Sequence, residues 1–148
     1  MRRCIVLGAF GGRLDQQMQS LNALWVFQEQ FKELVLMSED SLAVILPGCD
    51  FCCTHSGRAG AAAAAGGSRL LAKKYCIQRA GLQTDTCGII PFGHVHHVQT
   101  QGLKWDISGP MRMGGLVSSS NHMVSETVSI ETSGDLIWTA SVSRPPAL

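Results

Sequence analysis

No Asp-x-Asp pair occurs anywhere in this 148-residue chain, although eleven acidic residues are spread along it. Residues two apart on a strand share a face, so apart from Glu39-Asp40 in a turn no short segment offers paired carboxylates to a divalent cation of the magnesium type. Basic residues balance the acids to a net charge of +1, and they adjoin only at Arg2-Arg3 and Lys73-Lys74. That excludes the strong positive field that draws nucleic acid or an anionic membrane. No apolar run approaches the roughly 20 residues of a membrane span. The apolar stretch after Arg2-Arg3 is interrupted by Gly11, Gly12 and Arg13, too early for a signal-peptide core. A cytoplasmic chain is therefore expected, with its six cysteines reduced. There is no Gly-x-Ser-x-Gly elbow and no His-Glu-x-x-His zinc motif. Aromatics are few, so each of the three tryptophans carries weight.

What is present changes texture along the chain. Cys4 to Leu7 reads as a short buried strand closing on a glycine-rich turn. Leu14, Met18, Leu21 and Trp25 then recur at the spacing of one helix face. Leu34 to Met37 and Leu42 to Leu46 are two further strands, separated by the polar turn Ser38 to Ser41. Strand, helix, strand is an α/β unit, and a single unit cannot bury both faces of its sheet without neighbours. Residues 49–85 are of another kind: Ser56-Gly57-Arg58-Ala59-Gly60, five alanines from Ala61 to Ala65, then Gly66-Gly67-Ser68. They read as a low-complexity insert with one helix over 68–79. From Cys87 onward the pattern is all-β, with strands over Gly88–Pro91, His94–Thr100, Met111–Val117 and Thr127–Thr132. A turn at Ser133-Gly134-Asp135 and a strand from Leu136 to Val142 complete a hairpin. The expected fold is α+β: a remnant α/β unit followed by an antiparallel β-sandwich.

Two polar clusters in the β region hold the chemistry: Gly102-Leu103-Lys104-Trp105-Asp106 and Leu116-Val117-Ser118-Ser119-Ser120-Asn121. A tryptophan face can stack on a flat cation for roughly 1–2 kcal/mol, though it can equally be a core residue. Ser118, Ser120 and Asn121 can pair the edge of a heteroaromatic ring, or simply turn the chain. Gly8-Ala9-Phe10-Gly11-Gly12-Arg13 lies between strand and helix, where backbone N–H groups favour an anion; an ordinary turn reads the same way. His94 and His96 share a strand face with His97 beside them, which invites a metal or describes a solvated cluster. Cys49-Asp50-Phe51-Cys52-Cys53-Thr54-His55 imitates half of a zinc site within the low-complexity segment.

In wording and order these segments resemble thiamine pyrophosphokinases. The resemblance runs through Leu7 to Asp15, Gly102 to Asp106, Leu116 to Asn121, Val128 to Thr132 and Leu136 to Thr139, and covers roughly 4–48 and 87–143. It implies the C-terminal portion of such an enzyme, with the N-terminal catalytic half missing. Residues 1–48 would be a piece of the ATP-binding α/β domain, 49–85 a linker and 86–148 the thiamine-binding β-sandwich. The insert is expected to come from an alternative exon or a faulty gene model. The resemblance implies transfer of diphosphate from ATP to thiamine, releasing AMP. Arg13 and Asp15 would be catalytic, with Gly12, Arg13, Asp15 and Gln16 at ATP, and Trp105, Ser118, Ser120 and Asn121 at thiamine. Mg²⁺ is implied, yet its ligands are mostly absent and no residue is assigned to metal. The family is homodimeric with thiamine between subunits, so a homodimer without nucleic-acid or membrane partners is expected. Weak or absent turnover follows for the chain alone. The alternatives are a non-catalytic isoform that binds thiamine or dimerises, and a small metal-binding β-protein using His94, His96 and His97.

Overall fold

A computed structural model describes residues 2–48, 72–79, 81 and 83–143. The half-zinc motif at Cys49 to His55 and the alanine run lie outside the described residues. Strand β1 (Arg2–Leu7) is followed by helix α1 (Leu14–Phe27) and by β2 (Phe31–Met37), which pairs with β1 in parallel. The Ser38–Ser41 turn reverses the chain into β3 (Ser41–Leu46), antiparallel to β2. The strands β4 (Lys73–Gln78), β5 (Gln83–Pro91), β6 (His94–Gln101), β7 (Ser108–Arg112), β8 (Ser118–His122), β9 (Thr127–Thr132) and β10 (Leu136–Val142) follow.

These strands form two sheets. One has six strands in the order β1-β2-β3-β10-β5-β8, the other four in the order β4-β9-β6-β7. The α/β unit thus finds its neighbour within the same chain, because β10 inserts between β3 and β5 and extends the sheet. Alternation along the shared strands feeds two cores. Leu42, Leu46, Cys87, Ile89, Leu136 and Trp138 face the four-stranded sheet, where they meet Val95, Val98, Met111, Val128 and Ile130. Leu34, Leu36, Ala43 and Ile137 point the other way and pack with Leu24 of α1. Strands covered on both faces read as near-continuous apolar runs, as Ser41–Leu46 does. Each large side chain buried in this way contributes about 1.5–3 kcal/mol.

Five sequence-based expectations are corrected. The strand expected to be buried over Cys4 to Leu7 lies at the sheet edge, with Ile5 62% and Leu7 75% exposed. Of the helix expected over 68–79, residues 68–71 lie outside the described residues, and Lys73–Gln78 is instead β4, whose alternating half-buried and exposed residues pair with β9; this is the pattern of an edge strand with one face covered. The strand placed over Met111–Val117 ends at Arg112, where Arg112 C=O accepts from Gly115 N–H at 3.0 Å and the glycine pair turns the chain. The final hairpin is a change of sheet: β9 lies in the four-stranded sheet and β10 in the six-stranded one. Gly48 makes this corner possible. Its Cα sits against the Gly134 backbone, leaving no room for a side chain, and its N–H donates to Asp135. Finally, the buried face of α1 centres on Leu24, 1% exposed, while Leu14 and Met18 are 72% and 56% exposed. Trp25 stacks on Phe92 with ring centroids 5.0 Å apart. The predicted face therefore holds only in the second half of the helix, where Leu21, Leu24 and Trp25 reach the sheet and Phe92.

Candidate functional site

The glycine-rich turn leaves the C-terminal end of β1 beside that of β2, where open α/β sheets accommodate ligands. Gly8, Gly11 and Gly12 take φ of +73°, +119° and +73°, conformations that a side chain would strain. Ala9 N–H donates to Met37 C=O at 3.1 Å and ties the turn to β2. An open cleft of about 730 Å³ is lined by Gly8, Phe10, Gly11, Met37, Glu39 and Asp40, among others. Glu39 and Asp40, read from sequence only as a turn, thus line it; their signal was an acidic pair just past a strand's C-terminal end. Arg13, Asp15, Gly12 and Gln16 sit beside the cleft at the start of α1 rather than in its lining. Arg13 stands at the N-cap in extended conformation and reaches two residues on, donating to both oxygens of Asp15 at 3.1 and 2.5 Å. The guanidinium holds the Asp15 carboxyl below its ordinary range, with the Gln16 N–H adding to the effect.

The second cluster is built from the inside out. The chain leaves β6 at Gln101 and returns as β7 at Ser108 through a turn carrying Lys104 and Trp105. Asp106 fastens that turn by accepting from Thr100 Oγ1 at 2.9 Å, Leu103 N–H at 3.1 Å and Gly102 N–H at 3.4 Å. Thr100 Oγ1 in turn accepts from Ile107 N–H at 2.7 Å. From β8, Asn121 completes the frame. Its Oδ1 accepts from Trp105 N–H at 3.2 Å, and its Nδ2 donates to Trp105 C=O at 2.9 Å and to Ser118 Oγ at 3.0 Å. Asn121 is 1% exposed, so its amide serves the protein itself. The Trp105 ring is 54% exposed. Lys104 Nζ lies 4.6 Å from its centroid and the His122 ring 5.9 Å away at 46°.

Ser118 and Ser120 line a separate groove of about 230 Å³ with Thr86, Cys87, Val117 and Thr139. Ser120 holds φ of +55°, uncommon for a residue with a side chain. Burial pushes the Cys87 thiol up to about 11, which keeps it neutral and unreactive. The structure therefore joins Trp105 to Ser118 through Asn121, and directs Ser118 and Ser120 toward the groove. Lys104 and His122, which sequence reasoning did not single out as site residues, flank the tryptophan.

The histidines separate. His94 and His96 pack with centroids 4.3 Å apart, whereas His97 lies 3.6 Å from Glu131. Among the described residues no group of three or more His, Cys, Asp or Glu side chains is placed to hold a metal ion. Asp15, clasped by Arg13, is a single carboxylate, and Glu39 and Asp40 are the acidic side chains in the lining of the neighbouring cleft.

Comparison with known proteins shows what the chain is similar to. A family model described as "Thiamin pyrophosphokinase, vitamin B1 binding domain" matches residues 74–137, a range that includes both Trp105 and Ser118 to Asn121. Thiamine pyrophosphokinase 2 of Arabidopsis thaliana is 33% identical over 142 residues, 95% of this chain and 44% of its own length. Thiamine pyrophosphokinase 1 of Oryza sativa subsp. japonica is 35% identical over 140 residues, with 93% and 44% covered. Among solved structures, yeast thiamin pyrophosphokinase superposes with a TM-score of 0.68 at 24% identity, over 94% of this chain and 39% of that one. The Candida albicans enzyme gives 0.70 at 22% identity, over 97% and 45%. The chain spans less than half the length of the curated relatives it matches.

Proposed function

We propose that the chain, 33% and 35% identical to two thiamine pyrophosphokinases of which it spans 44%, is a thiamine-recognition unit of an ATP:thiamine diphosphotransferase. The observation that carries this reading is the pair of hydrogen bonds between Asn121 and the Trp105 backbone. They unite the two motifs and hold an exposed tryptophan in a fixed frame. An exposed, oriented indole is suited to a flat cationic ligand, and thiamine is one. Ser118 and Ser120 supply hydroxyls toward the ligand's polar edge, and Asn121 acts chiefly by orienting Trp105 and Ser118.

At the other end, Gly12, Arg13, Asp15 and Gln16 form the nucleotide side of the proposal. Arg13 offers a forked donor to phosphate once its clasp with Asp15 opens. In the reaction, the thiamine hydroxyl oxygen forms a bond to the β-phosphorus of ATP and loses its proton. The bond from that phosphorus to the oxygen bridging to the α-phosphate breaks, and AMP leaves with the electron pair. Such transfer depends on positioning and on neutralising charge as it develops. ATP and Mg²⁺ are the cofactors proposed for the complete enzyme. Because the sequence has no Asp-x-Asp pair of the kind expected to hold magnesium, the chain alone is proposed to bind thiamine with little or no turnover.

We further propose that residues 1–48 act as the nucleotide-facing part and that the thiamine-binding part, expected from residue 86 onward, already includes β4 (Lys73–Gln78), which pairs with β9, and the start of β5 at Gln83. A homodimer in the cytoplasm is the proposed setting. Exposed Trp105 and Val124 at one end of the sandwich, and Met113 and Leu116 at the other, are apolar surface suited to association. Titration calorimetry with thiamine, for the wild type and Trp105→Ala, tests the reading together with an assay for AMP. Binding that depends on Trp105 without AMP release is expected. Absence of binding overturns the thiamine assignment, and AMP formed in step with thiamine diphosphate overturns the expectation of inactivity.

A further inference from the structure

We propose that Gly88 is a positioning residue of the Trp105 site: by carrying no side chain it lets β8 bulge over β5, and the bulge brings Ser118 and Asn121 together beside the Trp105 turn. The inference rests on the thiamine reading above. Three pairings fix β8 on β5: Thr86 with His122, Cys87 with Asn121 and Ile89 with Ser118. One residue, Gly88, lies between Cys87 and Ile89, whereas two, Ser119 and Ser120, lie between Ser118 and Asn121. Two residues facing one make a β-bulge, a device that re-aims side chains. Ser120, one of the two, takes the left-handed φ of +55°. Residues three apart on a regular strand point to opposite faces. Ser118 and Asn121 instead pair with Ile89 and Cys87, which share the sandwich face. Asn121 Nδ2 thereby reaches Ser118 Oγ at 3.0 Å while the same amide holds Trp105 N–H and C=O.

Gly88 is the residue on which the bulge comes down. A Cβ there would stand 2.8 Å from Thr139 Oγ1, 3.1 Å from the Ser118 carbonyl oxygen and 3.8 Å from Ser119 Cα. Gly88 does not take a left-handed φ, so the backbone conformation does not call for glycine. A glycine inside a strand weakens it and marks a bulge or a close approach of another backbone; here the reason is space. The two neighbours of β5 differ in their freedom to yield. Thr139 belongs to β10, which is held between β3 and β5, whereas β8 is the edge of the six-stranded sheet. A side chain at residue 88 therefore displaces β8, and with it Ser118 and Asn121, rather than β10.

The test compares the wild type with Gly88→Ala, Gly88→Val and Leu34→Val, the last of which loosens the core on the helix side of the sheet. Urea denaturation reports stability, titration calorimetry the affinity for thiamine, and proton–nitrogen correlation spectra the Asn121 side-chain amide. Gly88→Ala is expected to weaken thiamine roughly three-fold and Gly88→Val roughly ten-fold or more, each with shifted Asn121 amide resonances. Leu34→Val is expected to lose stability and keep its affinity. Wild-type affinity in the Gly88 variants overturns the role of Gly88 and leaves the thiamine reading standing. Weaker binding with the Asn121 amide unmoved also overturns it, as does an equal loss in Leu34→Val. If Gly88→Val does not fold, Gly88→Ala decides, since one methyl at an edge strand asks only a small shift. Absence of thiamine binding by the wild type overturns the thiamine reading; the Asn121 amide of Gly88→Ala then still decides whether Gly88 sets the bulge.

Discussion

The turn at residues 8–15 and the turn at residues 102–106 both leave a strand on glycine and both present a cationic side chain, yet they are held in opposite ways. In the first, the Arg13–Asp15 clasp joins side chains 73% and 64% exposed and only two positions apart. In the second, Asp106 gathers three donors from within six residues, and the buried Asn121 reaches sixteen residues back to Trp105. A surface ion pair is worth about 0–1 kcal/mol, whereas a buried amide stripped of its partners costs about 1–3 kcal/mol for each group left unsatisfied. The molecule therefore fixes the surface that would meet a ring and leaves adjustable the side chains that would meet phosphate.

The comparison breaks most visibly at Asn121. Asn121→Ala removes both bonds to the Trp105 backbone and the bond to Ser118. It is expected to lower stability by about 2–4 kcal/mol in urea denaturation. A loss below about 0.5 kcal/mol would show that the second turn is no more rigidly held than the first.

Cys87 reads the same rigidity from beneath, because it pairs with Asn121 across β5 and β8. Its thiol is raised by burial from 9.0 to about 11, which leaves about a hundredfold less thiolate at pH 8. Exposed Cys76 should react with iodoacetamide at pH 8 well before Cys87 does. The stability attached to the neutral Cys87 thiol is complete below pH 9 and is lost as pH rises through about 11. Rapid labelling of Cys87 in the wild type would mean that this frame opens readily. Faster labelling in Asn121→Ala than in the wild type would show that Asn121 is what keeps it shut.

Trp105 separates framing from recognition. The ring is half exposed and its backbone bonds do not need the indole. Trp105→Ala should leave stability within about 0.5 kcal/mol while weakening thiamine roughly ten-fold or more. A thermal midpoint that falls as far as that of Asn121→Ala would make the ring structural.

Much of this architecture was legible because the strands are short apolar or alternating runs bounded by turn residues. Thr127–Thr132 and Leu136–Val142 emerge as strands at the bounds the pattern predicts. Which sheet each joins was not legible, since a hairpin and a change of sheet carry the same local alternation; only the packing of Gly48 on Gly134 distinguishes them. Lys73–Gln78 was misread because helix-favouring alanines precede it, whereas pairing with β9 decides its conformation. At the candidate site, the types and order of Trp105, Ser118 and Asn121 were legible. That the Asn121 amide is taken up by the Trp105 backbone has no local signature, and neither has the approach of His122 to the indole.

The smallest expected effect sharpens the other side of the comparison. Asp15 has its carboxyl lowered by Arg13. Any stability linked to it is therefore present above its ordinary value of 3.8 and lost as pH falls below that. Both side chains lie in solvent, where screening removes most of the attraction between them. Asp15→Asn should accordingly leave the thermal midpoint at pH 7 unchanged, and its acid-unfolding curve from about pH 5 to 3 should superpose on that of the wild type. A midpoint shift matching that of Asn121→Ala would mean that the clasp anchors the start of α1. The 8–15 turn would then be as firmly built as the one that carries Trp105.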